Sequence, residues 1–386
     1  MELTKRRTSF IPLGFAIFAM FFGAGNSIFP LLIGTQAANK NIFAISGLSI
    51  SGILIPMLGL VGMILYNGDY KAFFYRLGKA PGFFLISLIM IVIGPFAGIP
   101  RCITLSFATL KPHLGSTPFV LFSSCACAVV FFKTFKKSRL IDILGKVLTP
   151  ILLTFLTIII VKGLLGSKEM ATVTTSSTNV FLQGLTTGYQ MMDLLASFFF
   201  ATTVLTCLKK NEGNLSSKSS ASPVLFKSVI LSAALLAVVY IGFSFVGAFH
   251  SASFQHLSKD TLLAAVGLKV LGGQIGIVMG ITFALACLTT VITLVSVFSD
   301  FIHEEFFNKK IPYVVCIILT LVVAFFFSNL GFDGICKMVN PIVNICYPVL
   351  ILLTVLNILY KLYDFKPVKI PVLLVFIGSL WVNMVL

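Results

Sequence analysis

Apolar runs of about 20 residues recur along the whole chain, and short stretches between them hold nearly all of its charge. A helix rises 1.5 Å per residue, so each run matches a hydrocarbon core of roughly 30 Å. In lipid every backbone N–H and C=O must be bonded internally, which leaves helices and closed barrels as spanning structures. Continuous rather than alternating apolarity selects the helix. The chain is therefore expected to be an all-α polytopic membrane protein with about eleven spans, at 10–33, 42–66, 81–108, 116–132, 143–161, 181–208, 224–250, 271–299, 312–330, 338–360 and 367–386. Only 10% of its 386 residues are charged, against roughly 25% in a soluble domain. That composition excludes a disordered chain, a secreted disulfide scaffold and an ordinary cytosolic enzyme.

A net charge of +16 suggests a nucleic-acid surface until the basic residues are placed. Twenty of the 28 fall on the side of the N-terminus, seven on the other, and Arg101 lies inside a span. Such asymmetry is the positive-inside pattern, so the N-terminus is expected to be cytoplasmic and no nucleic acid is implied. Lys5, Arg6 and Arg7 precede an apolar stretch that runs past 20 residues without a small-residue cleavage site, which reads as a first span rather than a removed leader. The eight cysteines lack metal-type spacing and read as buried small apolar groups. Residues 67–80 alternate basic and aromatic side chains and are expected along the inner surface. Residues 209–223 form a polar linker between two halves, 168–180 a Thr/Ser-rich external loop, and 251–270 an external loop with a short helix.

Two spans carry interruptions. In span one Gly23, Gly25 and Asn26 fall mid-membrane before Pro30; in span six Gly184, Thr186, Thr187, Gly188 and Tyr189 precede Asp193. Glycine lowers helix stability by roughly 1 kcal/mol relative to alanine, and freed backbone groups are tolerated at membrane depth only beside a cavity. The interrupted spans are five apart, so they run in opposite directions, as an inverted repeat requires. Paired broken helices point to the midplane site of a secondary transporter. The repeats are placed at 10–166 and 181–361, with 367–386 as an additional helix. The competing reading is that these glycines only allow close helix packing.

Asp193 is the one acidic residue well inside a span, and Arg101 its one fully embedded basic counterpart. Asp193 reads as part of a substrate and ion site, as the partner of Arg101, or as a helix cap. Arg101 follows Gly94, Pro95 and Pro100 and reads chiefly as a gating or structural pair, with substrate contact the lesser alternative. Thr289 and Thr290 in span eight could supply oxygens to a small hard cation, although membrane threonines commonly bond back to their own helix. Span ten, with Asn340-Pro341 and Tyr347-Pro348, reads as kinked, for gating or for packing alone.

GFAIFAMFFGAGNSIFP at 14–30, IGPFAGIPRCITLSF at 93–107, TGYQMMD at 187–193 and ACLTT at 286–290 resemble, in order, the bacterial branched-chain amino acid carriers, the system II leucine, isoleucine and valine:cation symporters. The resemblance runs from about residue 10 to 360. It implies a leucine-transporter-like fold of the amino acid-polyamine-organocation superfamily, with helices one and six broken, in the bacterial inner (cytoplasmic) membrane. It further implies that Gly23, Ala24, Gly25, Asn26, Gly188, Tyr189 and Asp193 bind a zwitterionic amino acid. Ala19 and Phe22, through their carbonyls, would join Thr289 and Thr290 in holding sodium. The chain departs from the family at Ala108, where an acidic residue is common, and at Ser27 and Leu31. It also ends at an eleventh span where twelve are usual, which would leave the C-terminus external.

The expected function is sodium symport of leucine, isoleucine, valine and by extension methionine. An apolar pocket separates such side chains by only about 1 to 3 kcal/mol per methylene. The alternative keeps the fold and uses protons carried by Asp193. No cofactor is expected beyond the coupling ion, and no phosphate-binding loop suggests ATP use. His113, His250, His256 and His303 fall at span ends or in loops without a paired nucleophile, so no enzyme activity is expected.

Overall fold

A computed structural model describes residues 10–135, 149–166, 170–212, 223–254 and 256–385. The basic N-terminal residues Lys5 to Arg7, the basic stretch after span four, the start of span five and most of the 209–223 linker lie outside the described residues. Span one is two helices, Phe10–Phe21 and Ala24–Ala37, and span six is likewise two, Ser177–Tyr189 and Asp193–Glu212. Span two runs Asn41–Ser49, a π turn Ile50–Leu54, then Ile55–Leu65; span three runs Lys79–Ile91, a π turn Val92–Phe96, then Gly98–Leu110. Spans four, five and seven are Phe119–Phe135, Thr149–Leu165 and Pro223–Phe249. Spans eight to eleven are Gly273–Phe301, Tyr313–Ser328, Gly331–Tyr363 and Lys369–Val385.

Among the described residues no strand occurs. Among the described residues five helical stretches, including Pro223–Phe249 and Gly331–Tyr363, are long and apolar enough to cross a membrane, and the other apolar helices run 10–17 residues. Span ten starts seven residues before its expected boundary and carries Pro341 and Pro348 within one helix. The segment after span seven holds two helices, Ser251–Phe254 and Lys259–Leu271. Cys102, Cys287, Cys316, Cys336 and Cys346 are buried as expected, whereas Cys125 is exposed.

Packing follows the inverted repeat. Span one lies along span seven, span six along span two, and span three along span eight. Exchanging one with six and two with seven maps the first pairing onto the second, which is the relation that oppositely directed halves require. Close approach depends on glycine. A Cβ on Gly34 of span one would lie 1.9 Å from the Ser244 carbonyl oxygen of span seven, and one on Gly184 of span six 2.0 Å from the Ala44 carbonyl oxygen of span two. Both contacts lie in the half of the bundle away from the N-terminus, which is thereby packed backbone against backbone.

Span three is distorted by its own sequence. Pro95 has no N–H to donate, and Gly94 takes non-helical angles (φ −86°, ψ −120°). Gly98 then sits where a Cβ would be 1.9 Å from the Ile93 carbonyl oxygen. The second half of the span restarts at Gly98, which places Arg101 in its first turn.

Between spans two and three, Tyr70–Phe74 forms a short helix capped by Asp69, whose carboxylate accepts from the Ala72 amide at 2.9 Å. Arg76 ties this segment to the end of span ten. Its guanidinium donates to Asn357 Oδ1 at 2.7 Å and to the carbonyls of Leu356, Phe365 and Lys366 at 3.1–3.2 Å, and it stacks 4.0 Å from the Tyr360 ring centroid.

Candidate functional site

The two broken spans meet at a cavity lined by residues from both breaks. Span one is non-helical at Phe22 and Gly23. An unbroken helix would bond the Gly23 amide to the Ala19 carbonyl; here that amide donates instead to Asn26 Oδ1 at 3.2 Å. The Ala19 carbonyl therefore loses its i+4 partner. Ser27 donates back to the Gly23 carbonyl at 3.0 Å, and the helix resumes.

In span six the helix continues through Gly188 and Tyr189, and the break falls at Gln190–Met192, later than the sequence suggests. Met192 takes φ 65°, a region that side chains other than glycine rarely enter. The loose ends are capped from other spans. Arg101 donates to the Gln190 carbonyl at 2.7 Å, and Tyr347 Oη of span ten accepts from the Leu194 amide at 3.2 Å. Charge at the carbonyl end and an acceptor at the amide end are what helix termini need.

Asn26 joins the breaks. Its amide nitrogen donates to Asp193 Oδ2 at 2.6 Å and to Tyr240 Oη of span seven, and Tyr240 donates to the same carboxylate oxygen at 3.2 Å. Asn26, Asp193 and Tyr240 are all buried. Asp193 is the first residue of its helix, so its side chain sits at the positive helix end. The alternative reading of Asp193 as the ion-pair partner of Arg101 does not describe the structure: no salt bridge among the described residues joins them. A buried arginine at membrane depth costs about 2.5–3.5 kcal/mol on insertion scales, and here one carbonyl and two aromatic rings receive it.

Of the expected substrate residues, Gly23, Ala24, Gly25, Asn26 and Asp193 line the cavity. Gly188 and Tyr189 do not. Gly188 packs against span two, where a Cβ would lie 2.0 Å from Ser51 Oγ, and Tyr189 stacks on Tyr347 with ring centroids 4.6 Å apart. For Gly188 the close-packing reading describes what the structure places there. Gly25 closes onto the second break, since its Cβ would lie 3.3 Å from Met191 Cα. Met20, Phe21, Ile93, Met192, Phe200 and Leu294 give the cavity an apolar wall.

Of the expected cation ligands, Thr290 lines the cavity, its Oγ1 3.8 Å from where a Gly23 Cβ would stand. Thr289 and Thr290 both donate to the Ala286 carbonyl, at 2.7 and 3.2 Å. Such a bond uses the hydroxyl hydrogen and leaves the oxygen lone pairs free to accept. Phe22 is buried and stacks on Phe18 at 5.2 Å. Tyr240, Tyr347 and the Gln190–Met192 turn were not singled out as site residues from sequence. Tyr240 had one usable sign: it is the lone polar aromatic within the apolar 27-residue span seven.

A family model described as branched-chain amino acid transport protein matches residues 6–385. The chain belongs to this family. Among the curated members, it is 32% identical over 372 residues to the branched-chain amino acid permease BrnQ of Bacillus subtilis (strain 168), covering 92% of this chain and 82% of that protein. To the branched-chain amino acid permease BraB of the same strain it is 30% identical over 371 residues, covering 92% and 80%. Solved structures share the fold at low identity. MhsT in complex with L-phenylalanine aligns with a TM-score of 0.60 at 15% identity, covering 95% of this chain and 98% of that one. Inward-facing Mhp1 aligns at 0.62 and 14%, covering 95% and 83%. The family is one of transporters, and the broken helices one and six are those of its fold.

Proposed function

We propose that this family member imports branched-chain or similar apolar amino acids, leucine, isoleucine, valine and methionine, by sodium symport with alternating access. The observation that carries the reading is the meeting of two helix breaks in one cavity, cross-linked by Asn26 and Asp193 at 2.6 Å. Amides at the start of a broken half-helix have no intrahelical acceptor and favour a substrate carboxylate. Asp193 and freed carbonyls favour its ammonium, and the apolar wall takes its side chain. The curated relatives' names, at 30–32% identity, support the substrate class.

Sodium would sit between the Ala19 and Phe22 carbonyls and the Thr289 and Thr290 hydroxyls. Support comes from the Gly23 amide, which turns away from Ala19, and from the nearness of Thr290 to Gly23. The cavity lies toward the end of each span nearer the N-terminus: Met20 and Phe21 precede the first break, and Ala196 and Phe200 follow the second. With an N-terminus inside, as the basic residues suggest, this cavity faces the cytoplasm of a cell bounded by the inner membrane.

The test is uptake of labelled isoleucine into proteoliposomes. Uptake should require sodium, and Thr290→Ala should raise the sodium concentration needed by about tenfold or more, the value of one lost charge-assisted contact. Uptake that persists unchanged without sodium and collapses with a protonophore would replace sodium by protons carried on Asp193.

A further inference from the structure

The cavity holds a buried guanidinium and a buried carboxyl group that do not meet. Arg101 is 2% exposed and lines the cavity, as does Asp193. One Nη of Arg101 donates to the Gln190 carbonyl at 2.7 Å; among the described residues Nε and the other Nη have no oxygen or nitrogen partner, and the Cys336 thiol lies beside the guanidinium. The rings of Phe29 and Phe332 stand 5.8 and 5.9 Å from Cζ and limit where the guanidinium can swing.

A guanidinium presents five N–H donors in a planar fork, and capping one neutral carbonyl uses one of them. A hydroxyl or amide would suffice for that cap. The partner that suits the unused donors is a planar anion with two oxygens, bound bidentately. The fork also stands where the breaks meet. Gln190, which holds it, adjoins Met191, onto whose backbone Gly25 closes, and Asp193 lies three residues further along the same break.

We propose that Arg101 binds the α-carboxylate of the transported amino acid while Asp193, across the junction of the two breaks, receives its α-ammonium. The inference rests on the reading of the cavity as an amino acid site and names the residue that recognises the zwitterion. The substrate completes a charge pair that the protein leaves open, so selection for a free carboxylate is separate from selection for the apolar side chain.

The experiment measures binding of leucine and of leucinamide, which lacks the carboxylate charge, to purified full-length wild type, Arg101→Gln and Arg101→Lys. Wild type should prefer leucine by about a hundredfold, Arg101→Gln should shrink that preference to within about threefold, and Arg101→Lys, which keeps the charge and loses the fork, should fall between. The ratio within one variant is independent of how much of it is folded. Should Arg101→Gln not purify as a monodisperse protein, Arg101→Lys decides, with a preference reduced about tenfold. Variants that keep the wild-type preference overturn the role of Arg101 and leave the amino acid site standing. Wild type that binds no aliphatic amino acid overturns the site reading itself.

Discussion

Asn26 Nδ2 lies 2.6 Å from Asp193 Oδ2, and this single hydrogen bond ties the break in span one to the break in span six. Two interruptions that each weaken a helix are thereby made one structural unit, with Tyr240 as its third member. Asp193→Asn keeps the shape and removes the charge. It should lower transport by about tenfold to a hundredfold, as loss of a charged hydrogen bond worth about 1.5–3 kcal/mol requires. Tyr240→Phe removes one neutral donor and should lower it by only a few-fold. Initial uptake rates, normalised to protein in the membrane, check both.

Gly184 is a packing residue. Its missing Cβ would stand 2.0 Å from the Ala44 carbonyl oxygen, and a backbone atom cannot rotate aside. Gly184→Ala should force spans two and six apart and destabilise the protein by about 1–3 kcal/mol. A thermal melt in detergent should show the loss, and an unchanged midpoint would contradict the packing.

Arg76 reaches four acceptors at the end of span ten. Arg76→Ala should destabilise by about 2–3 kcal/mol, and Arg76→Lys should recover less than half, because an ammonium cannot reproduce the fork or the stacking on Tyr360. Thermal midpoints of the three proteins decide this.

Lys71, on the segment between spans two and three, meets Glu305 at 2.7 Å. The Glu305 hydrogen bond raises the Lys71 ammonium above the ordinary 10.5, outweighing the opposing effect of partial burial. A raised folded-state value means that the pair's stabilisation is fully present below 10.5 and is lost as pH rises through the folded value. Lys71 is 43% exposed, so the pair is worth no more than about 1 kcal/mol. The difference in melting midpoint between wild type and Lys71→Met should therefore be small at neutral pH and vanish above the elevated lysine value.

Much of this was legible in the amino-acid order. Gly23, Gly25, Asn26 and Pro30 lie within eight residues of a membrane span, and the helix does break beside them, at Phe22 and Gly23. The second break was misplaced for a physical reason. Glycine serves both a break and a close approach, and Gly184 and Gly188 serve the approach. The actual turn, Gln190–Met192, has no local signature, because its ends are held from a distance by Arg101 and Tyr347. The same distance effect separates Arg101 from Asp193, which the sequence leaves open as a pair. Both residues are buried at one cavity, yet each bonds to a different element.

On the proposed function, the cavity between the two breaks is the substrate site. Gly25 lines it and already approaches Met191 closely, so Gly25→Leu fills the cavity. Binding of labelled leucine to purified wild type and Gly25→Leu protein, with melting curves of both, tests this most directly. The expected result is saturable binding to wild type and none to a variant that still melts cooperatively. A Gly25→Leu protein that binds leucine as wild type does would place the site elsewhere.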